Sequence, residues 1–288
     1  MKLSKKKATE GLVLAAPLLL GCLLFYAIPF VLVFLKSVTK GIGNTQQFVG
    51  ADHYEAMFEN EIFVRAFGNT MKFLAVALPL IILVAFIVAL ILKEQARKHL
   101  WLKSVILIPY VMPVVGTVLI IDHLFAATGL VNEGLYALGL PVADWLNSEW
   151  AFIVVVLLYL WKNTGYAVIL LLSGLTTIPE ELYDAASIDG ASKFHRLRYI
   201  TLPQMWYSFF FATVFSLINA FKCFREIFLI GGTYPHDSIY MLQHFINNSF
   251  EKMSYPKLAV ASILLLIVIV AVFAVFYRVV LRKEDYKG

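Results

Sequence analysis

Six apolar stretches, at 11–37, 70–92, 104–126, 151–174, 206–230 and 258–281, leave this chain few ways to fold. Each reaches the length of about 20 residues that a helix needs to cross a hydrocarbon core. Lipid offers the backbone no hydrogen-bond partner, so an open chain satisfies its N–H and C=O groups there only as helices. Composition agrees, with 60% hydrophobic and 15% charged residues, where a soluble domain carries about 25% charge. The predicted fold class is an all-α polytopic membrane protein with six transmembrane helices.

The bases set its orientation. Lys2, Lys5, Lys6 and Lys7 precede the first run, Lys93, Arg97, Lys98 and Lys103 join the second to the third, Lys193, Arg196 and Arg198 join the fourth to the fifth, and Arg282, Lys283 and Lys287 follow the sixth. The opposite segments are richer in acids, such as Asp52, Glu55, Glu59 and Glu61. The positive-inside rule therefore places both termini in the cytoplasm. The net charge of +5 reports topology rather than nucleic-acid binding, for which no motif is present. The N-terminal bases resemble a signal-peptide n-region, but the following run is about twice the length of an h-region and lacks a cleavage site, so it reads as a first helix that is retained. Cys22 and Cys223 lie inside apolar runs and form no CxxC or zinc pattern. Prolines and glycines (Pro17, Pro29, Pro79, Pro109, Pro113, Gly116) interrupt several runs. They read either as packing kinks or as points that let a pathway open.

The layout expected is a cytoplasmic N-terminus at 1–10, a first helix at 11–37, an extracytoplasmic loop at 38–69, a five-helix core at 70–281 and a cytoplasmic C-terminus at 282–288. The core contains a long cytoplasmic loop at 176–204. That loop reads as two short helices. The first runs from Pro179 to Asp189, with Thr177 as N-cap and Glu180 completing a capping box. Gly190 permits a sharp turn, and a second stretch runs from Ala191 to about Tyr199 before Leu202-Pro203. Leu182, Ala185, Ala186 and Ile188 give this knob an apolar face beside Lys193, Arg196 and Arg198, a shape suited to a groove on a partner protein.

Asp184-Ala185-Ala186, three residues, Gly190, nine residues, then Ile200-Thr201-Leu202-Pro203 resembles the EAA loop of ABC importer permeases. Aspartate stands where that family usually has glutamate. Phe48-Val49-Gly50 through Tyr54, Asn69-Thr70, Ile108-Pro109 through Pro113, Trp161 to Gly165, Ile188 to Ser192 and Phe224 through Gly232 are similar to the sugar-permease branch, the maltose and multiple-sugar type. The resemblance implies a type I importer fold in a bacterial cell membrane. It also implies the partners: a second, homologous permease forming a heterodimer, two ATP-binding subunits and an extracytoplasmic solute-binding protein, with the lipid bilayer around them. Asp184, Ala185, Ala186, Gly190, Ile200, Leu202 and Pro203 would then couple to the ATPase. No GxxxxGK loop occurs in the chain. ATP and Mg are accordingly expected on the partner ATPase, with no cofactor, metal or catalytic residue in this chain.

Ionisable groups within the bilayer are costly and point to function. Tyr159, Lys162, Asn163 and Tyr166 share one face of the fourth helix by spacing, and Asn219, Lys222, Arg225 and Glu226 form a stripe on the fifth. Rings beside polar groups suit a sugar, so these eight residues are the candidate substrate pathway. Ordinary pairing is the competing reading: Lys222 with Glu226 four residues on, and Lys162 with Asp122. If Lys162, Lys222, Arg225, Asp122 and Glu226 all face one cavity, one positive charge is in excess. That leaves a neutral sugar favoured, with an anionic solute such as a sugar acid or glycerol phosphate as the alternative. An intramembrane enzyme lacks its HExxH, GxSxG or paired aspartates here, and a stand-alone ion-coupled carrier would not need the 176–204 loop.

Overall fold

The computed structural model describes residues 5–41, 46–95 and 101–281. Lys2, Arg97, Lys98, Arg282, Lys283 and Lys287, on which part of the orientation argument rests, lie outside the described residues. Among the described residues, six helical segments are long and apolar enough to cross a membrane: Gly11–Val38, Glu61–Lys93, Val114–Ala137, Trp150–Thr176, Trp206–Gly231 and Tyr255–Val275. The chain divides into two units.

One unit comprises residues 1–64 and 245–268. Helix α1 (Lys5–Cys22) runs through a π-helical turn at Leu23–Ala27 into α2 (Ile28–Val38). Pro29 lies at the start of α2, just after the π-helical turn, where a proline's missing N–H interrupts the helical ladder. Within residues 11–38 only Ser37 is buried, so the apolar side chains face outward as lipid-exposed helices do. A two-residue strand pair follows, β1 (Thr39–Lys40) antiparallel to β2 (Gln47–Phe48). Tyr54 on α3 (Asp52–Phe58) donates its hydroxyl to Ser37 Oγ at 2.8 Å, tying α3 back to α2. Asn60 Oδ1 accepts the Phe63 N–H at 3.0 Å, the N-cap bond that starts α4 (Glu61–Gln95). That start lies nine residues before the expected 70, so the second span takes in part of the expected 38–69 loop.

The other unit comprises residues 65–244 and 269–288. The apolar run 104–126 is two helices, α5 (Trp101–Val111) and α6 (Val114–Phe125), interrupted where Pro113 adopts φ −57°, ψ 145°. The run 206–230 is likewise α12 (Trp206–Lys222) and α13 (Phe224–Gly231), interrupted at Cys223. Helix α8 (Trp150–Thr176) is the axis of this unit, with α5 and α12 packed on it, while α6 packs on α13. Close crossings depend on glycine. A Cβ at Gly165 of α8 would collide with the Ile106 carbonyl oxygen of α5, and one at Gly174 would collide with Ser208 of α12.

Two polar knots tie the ends of spans to the segments that follow them. Buried Asn132, on α7 (Leu130–Ala137), donates to the carbonyls of Ala126, Ala127 and Ala143 and accepts from Ala143 N–H and Trp145 Nε1. Asn69 Nδ2 donates to the carbonyls of Asp237 (2.6 Å) and Tyr240 (3.0 Å), and Thr70 Oγ1 accepts the Leu242 N–H at 2.9 Å. The Asn69-Thr70 pair therefore pins the segment after α13 to α4. Leu242 begins α14 (Leu242–Glu251), and α15 (Tyr255–Leu281) ends the described chain.

Candidate functional site

Two regions carry the candidate residues. The first is a cavity of ≈160 Å³ lined by Tyr110, Val114, Leu158, Tyr159, Lys162, Asn163, Asn219, Lys222, Cys223, Arg225 and Glu226. It lies where α5 gives way to α6 and α12 to α13, against the middle of α8. Interrupted helices are where membrane proteins place polar sites, because a break exposes backbone and side chains to an interior rather than to lipid. A larger cavity of ≈630 Å³ lies among α4, α12 and α15, but its lining of Met71, Leu74, Leu78, Phe86, Phe209 and Val272 offers a polar solute almost nothing.

Seven of the eight predicted pathway residues line the smaller cavity. Lys162 Nζ meets Glu226 Oε1 at 2.5 Å, with side chains 12% and 7% exposed. This bond joins α8 to α13 and replaces both pairings expected from sequence. Lys222 does not hold Glu226, whose carboxylate is bonded to Lys162 instead. Asp122 does not hold Lys162 and does not line the cavity. The excess is thus two positive charges rather than one. Glu226 Oε2 is buried without a hydrogen-bond partner, a costly state for a carboxylate oxygen unless something fills it. Lys222 and Arg225 are exposed, and neither forms an ion pair among the described residues.

The aromatic and amide residues divide their roles. Tyr159 is fully buried, and its hydroxyl donates to the Ser216 carbonyl at 2.7 Å while its ring meets Phe73 edge-on. Asn163 Nδ2 donates to the Tyr159 carbonyl at 2.9 Å, leaving its Oδ1 as an acceptor. Tyr166 lies one turn beyond the cavity and stacks on Tyr110 with centroids 4.9 Å apart and planes at 15°. Tyr110, Val114, Leu158 and Cys223 complete the lining without having been singled out from sequence. Only Tyr110 carried a signal, a hydroxyl-bearing ring beside Pro109 in an otherwise apolar run.

The second region is the loop between α8 and α12. Helix α9 (Glu180–Ile188) is followed by Gly190 at φ 76°. The Ala191 N–H reaches the Ala186 carbonyl at 2.8 Å and the Gly190 N–H reaches that of Ser187 at 3.1 Å. This is a Schellman ending, in which glycine supplies the left-handed residue. Ser192 then caps α10 (Lys193–Arg196) by accepting the His195 N–H, and a π turn at Leu197–Thr201 leads through α11 (Leu202–Gln204) into α12. The expected Thr177 capping box is absent. Pro179 stands at the N-cap, and the Thr177 hydroxyl instead donates to the Gly174 carbonyl at 2.8 Å, closing α8. Lys93 lies 4.2 Å over the Tyr183 ring, which seats the loop on the end of α4, and Tyr183 OH meets Thr201 Oγ1 at 3.0 Å, which ties α9 to the π turn. Its outer side exposes Leu182, Ile188, Phe194 and Tyr199, with Ile188 87% exposed. Asp184, Ala185, Gly190 and Pro203 are exposed; Ala186, Ile200 and Leu202 are half-buried.

Residues 63–285 match the family described as binding-protein-dependent transport system inner membrane component. The sulfoquinovosyl glycerol transport system permease protein of Agrobacterium fabrum is 30% identical over 93% of this chain and 89% of its own length. The trehalose/maltose transport system permease protein of Thermococcus litoralis is 29% identical over 99% of this chain and 98% of its own. Among solved structures, a chain of a bacterial alginate ABC transporter shares the fold, with a TM-score of 0.78 at 22% identity, covering 94% of this chain and 93% of that one. Six apolar helices, a polar cavity at two helix interruptions and this match over most of its length make the chain a multi-pass cell-membrane permease subunit, a member of the binding-protein-dependent transport system inner membrane components.

Proposed function

We propose that this permease imports a carbohydrate by alternating access, driven by a separate ATPase that docks on the α9–α10 knob. The observation that carries the reading is the knob itself. Leu182, Ile188, Phe194 and Tyr199 are exposed outside the membrane spans, and exposed apolar clusters rimmed by charge mark interaction sites. Asp184, Ala185, Ala186 and Gly190 form the docking helix and its turn. Ile200, Leu202 and Pro203 connect it to α12, so a push on the knob reaches the cavity wall at Lys222 directly. The knob then faces the cytoplasm with both termini. Two ATP-binding subunits carry ATP and Mg, a second homologous permease completes a heterodimer, and an extracytoplasmic solute-binding protein delivers the sugar. Tyr159, Lys162, Asn163, Tyr166, Asn219, Lys222, Arg225 and Glu226 form or support the solute's path. The relatives named above, for sulfoquinovosyl glycerol and for trehalose and maltose, favour a carbohydrate.

The test uses the complete importer in proteoliposomes. In Gly190→Val the added Cβ meets nothing within 4 Å, but the substitution places a β-branched residue at φ 76°, where the left-handed backbone is strained. ATPase activity stimulated by the loaded binding protein is expected to fall at least about tenfold, because a misdirected α10 no longer fits its groove. Full stimulation in an assembled Gly190→Val complex would refute docking through this loop.

A further inference from the structure

We infer that the carbohydrate is acidic, bearing a carboxylate, phosphate or sulfonate, and that Lys222 and Arg225 are the residues that recognise its anionic group. The inference rests on the cavity being the carbohydrate path. Three cations and one carboxylate line it. The carboxylate is committed, since Glu226 Oε1 lies 2.5 Å from Lys162 Nζ in a bond whose two side chains are nearly out of solvent. Two cations therefore remain, both exposed and neither in an ion pair among the described residues. Asp122, the acid expected to offset them, stays outside the lining.

Their position makes them a pair. Lys222 is the last residue of α12 and Arg225 lies in the first turn of α13, so the two flank the interruption at Cys223. A neutral sugar would leave both charges uncompensated inside a membrane domain, which is unfavourable. An anionic group between them removes that cost, and arginine matches planar carboxylate and tetrahedral phosphate oxygens with paired donors. The rest of the cavity suits the remainder of such a molecule. Asn163 and Asn219, each 8% exposed, offer amide groups to hydroxyls. The Glu226 carboxylate, held in the wall by Lys162, repels a second anion. An anion belongs beside Lys222 and Arg225, and hydroxyls belong beside Asn163 and Asn219.

The experiment measures binding to the complete importer in nanodiscs without its binding protein, using glucose, glucuronate, glucose 6-phosphate and inorganic phosphate as probes. Glucuronate and glucose 6-phosphate are expected to bind at least about tenfold tighter than glucose, a difference that one desolvated charge contact can supply. Lys222→Gln combined with Arg225→Gln should bring that ratio close to one. The exchange Lys222→Arg with Arg225→Lys keeps both charges and should keep most of the preference, which guards against a variant that merely misfolds. Glucose binding as well as glucuronate would overturn the acidic class while leaving carbohydrate import standing. A preference that survives the double glutamine variant would overturn the role of these two residues, as when acids of the second permease neutralise them. Inorganic phosphate binding as tightly as glucose 6-phosphate would reduce the site to an anion site and overturn the carbohydrate part. Failure of every sugar to bind would overturn the inference together with the reading of the cavity as the path.

Discussion

A single methyl group at Gly165 tests the packing that shapes the cavity. Its Cβ would overlap the Ile106 carbonyl oxygen, lie 2.7 Å from the Ile106 carbonyl carbon and lie 3.4 Å from Leu107 Cα. All three atoms are backbone, so no rotamer change relieves the clash and α5 must move away from α8. Moving the carbonyl carbon from 2.7 Å out to ordinary contact at 3.4 Å already needs 0.7 Å. Overpacking of this kind costs about 1–3 kcal/mol. Loosening the Tyr110–Tyr166 stack, carried by the same two helices, adds roughly 0.5–1.5 kcal/mol. Alanine's better helix propensity returns about 1 kcal/mol. The net destabilisation of Gly165→Ala is about 0.5–3.5 kcal/mol, which for a chain of this size lowers the melting temperature by about 5 °C at mid-range. The matched control is Gly116→Ala on α6, where a Cβ meets nothing within 4 Å. Thermal unfolding of the purified importer, followed by tryptophan fluorescence, compares the two. Equal melting temperatures for Gly165→Ala and Gly116→Ala would refute the close-crossing argument.

Three further outcomes are expected. Lys162→Met strands a buried carboxylate and should cost about 3–5 kcal/mol, whereas Lys162→Met with Glu226→Gln should recover most of it; a double-mutant cycle on thermal stability that shows no coupling would contradict the ion pair's role. His244 on α14 is fully buried among Phe224, Phe228 and Tyr240, accepts the Met241 N–H at Nδ1, and is pushed by burial from 6.5 down to about 4. Its neutral form is the one the fold accepts, so stability is complete above about pH 6.5 and falls by up to about 3 kcal/mol as pH drops towards 4. His244→Phe should flatten that slope, and an unchanged slope would assign the pH dependence elsewhere. Asn132→Ala removes five hydrogen bonds from a buried side chain and should cost about 2–4 kcal/mol, with protease cleavage appearing first in residues 126–145 if the knot holds that segment.

The helices were legible because lipid penalises every alternative, and the interruption at Pro113 was legible because proline removes a donor. The interruption at Cys223 was not, since Lys222-Cys223-Phe224 contains no residue that breaks a helix. The largest misreading of the cavity was the partner of Glu226. The spacing rule that pairs Lys222 with Glu226 sees only neighbours on one helix, whereas the carboxylate meets Lys162, 64 residues away in the chain. Thr177 shows the same limit at smaller scale: its hydroxyl could start α9 or end α8, and only the position of the Gly174 carbonyl decides. Local rules name the residues that can bond. Which bond forms depends on which helices pack together, and α8 brings Lys162 to Glu226. The sequence pattern therefore exposed the charges of the cavity but not their balance. Two unpaired cations at a helix interruption become visible only when Glu226 is seen to belong to α8's lysine.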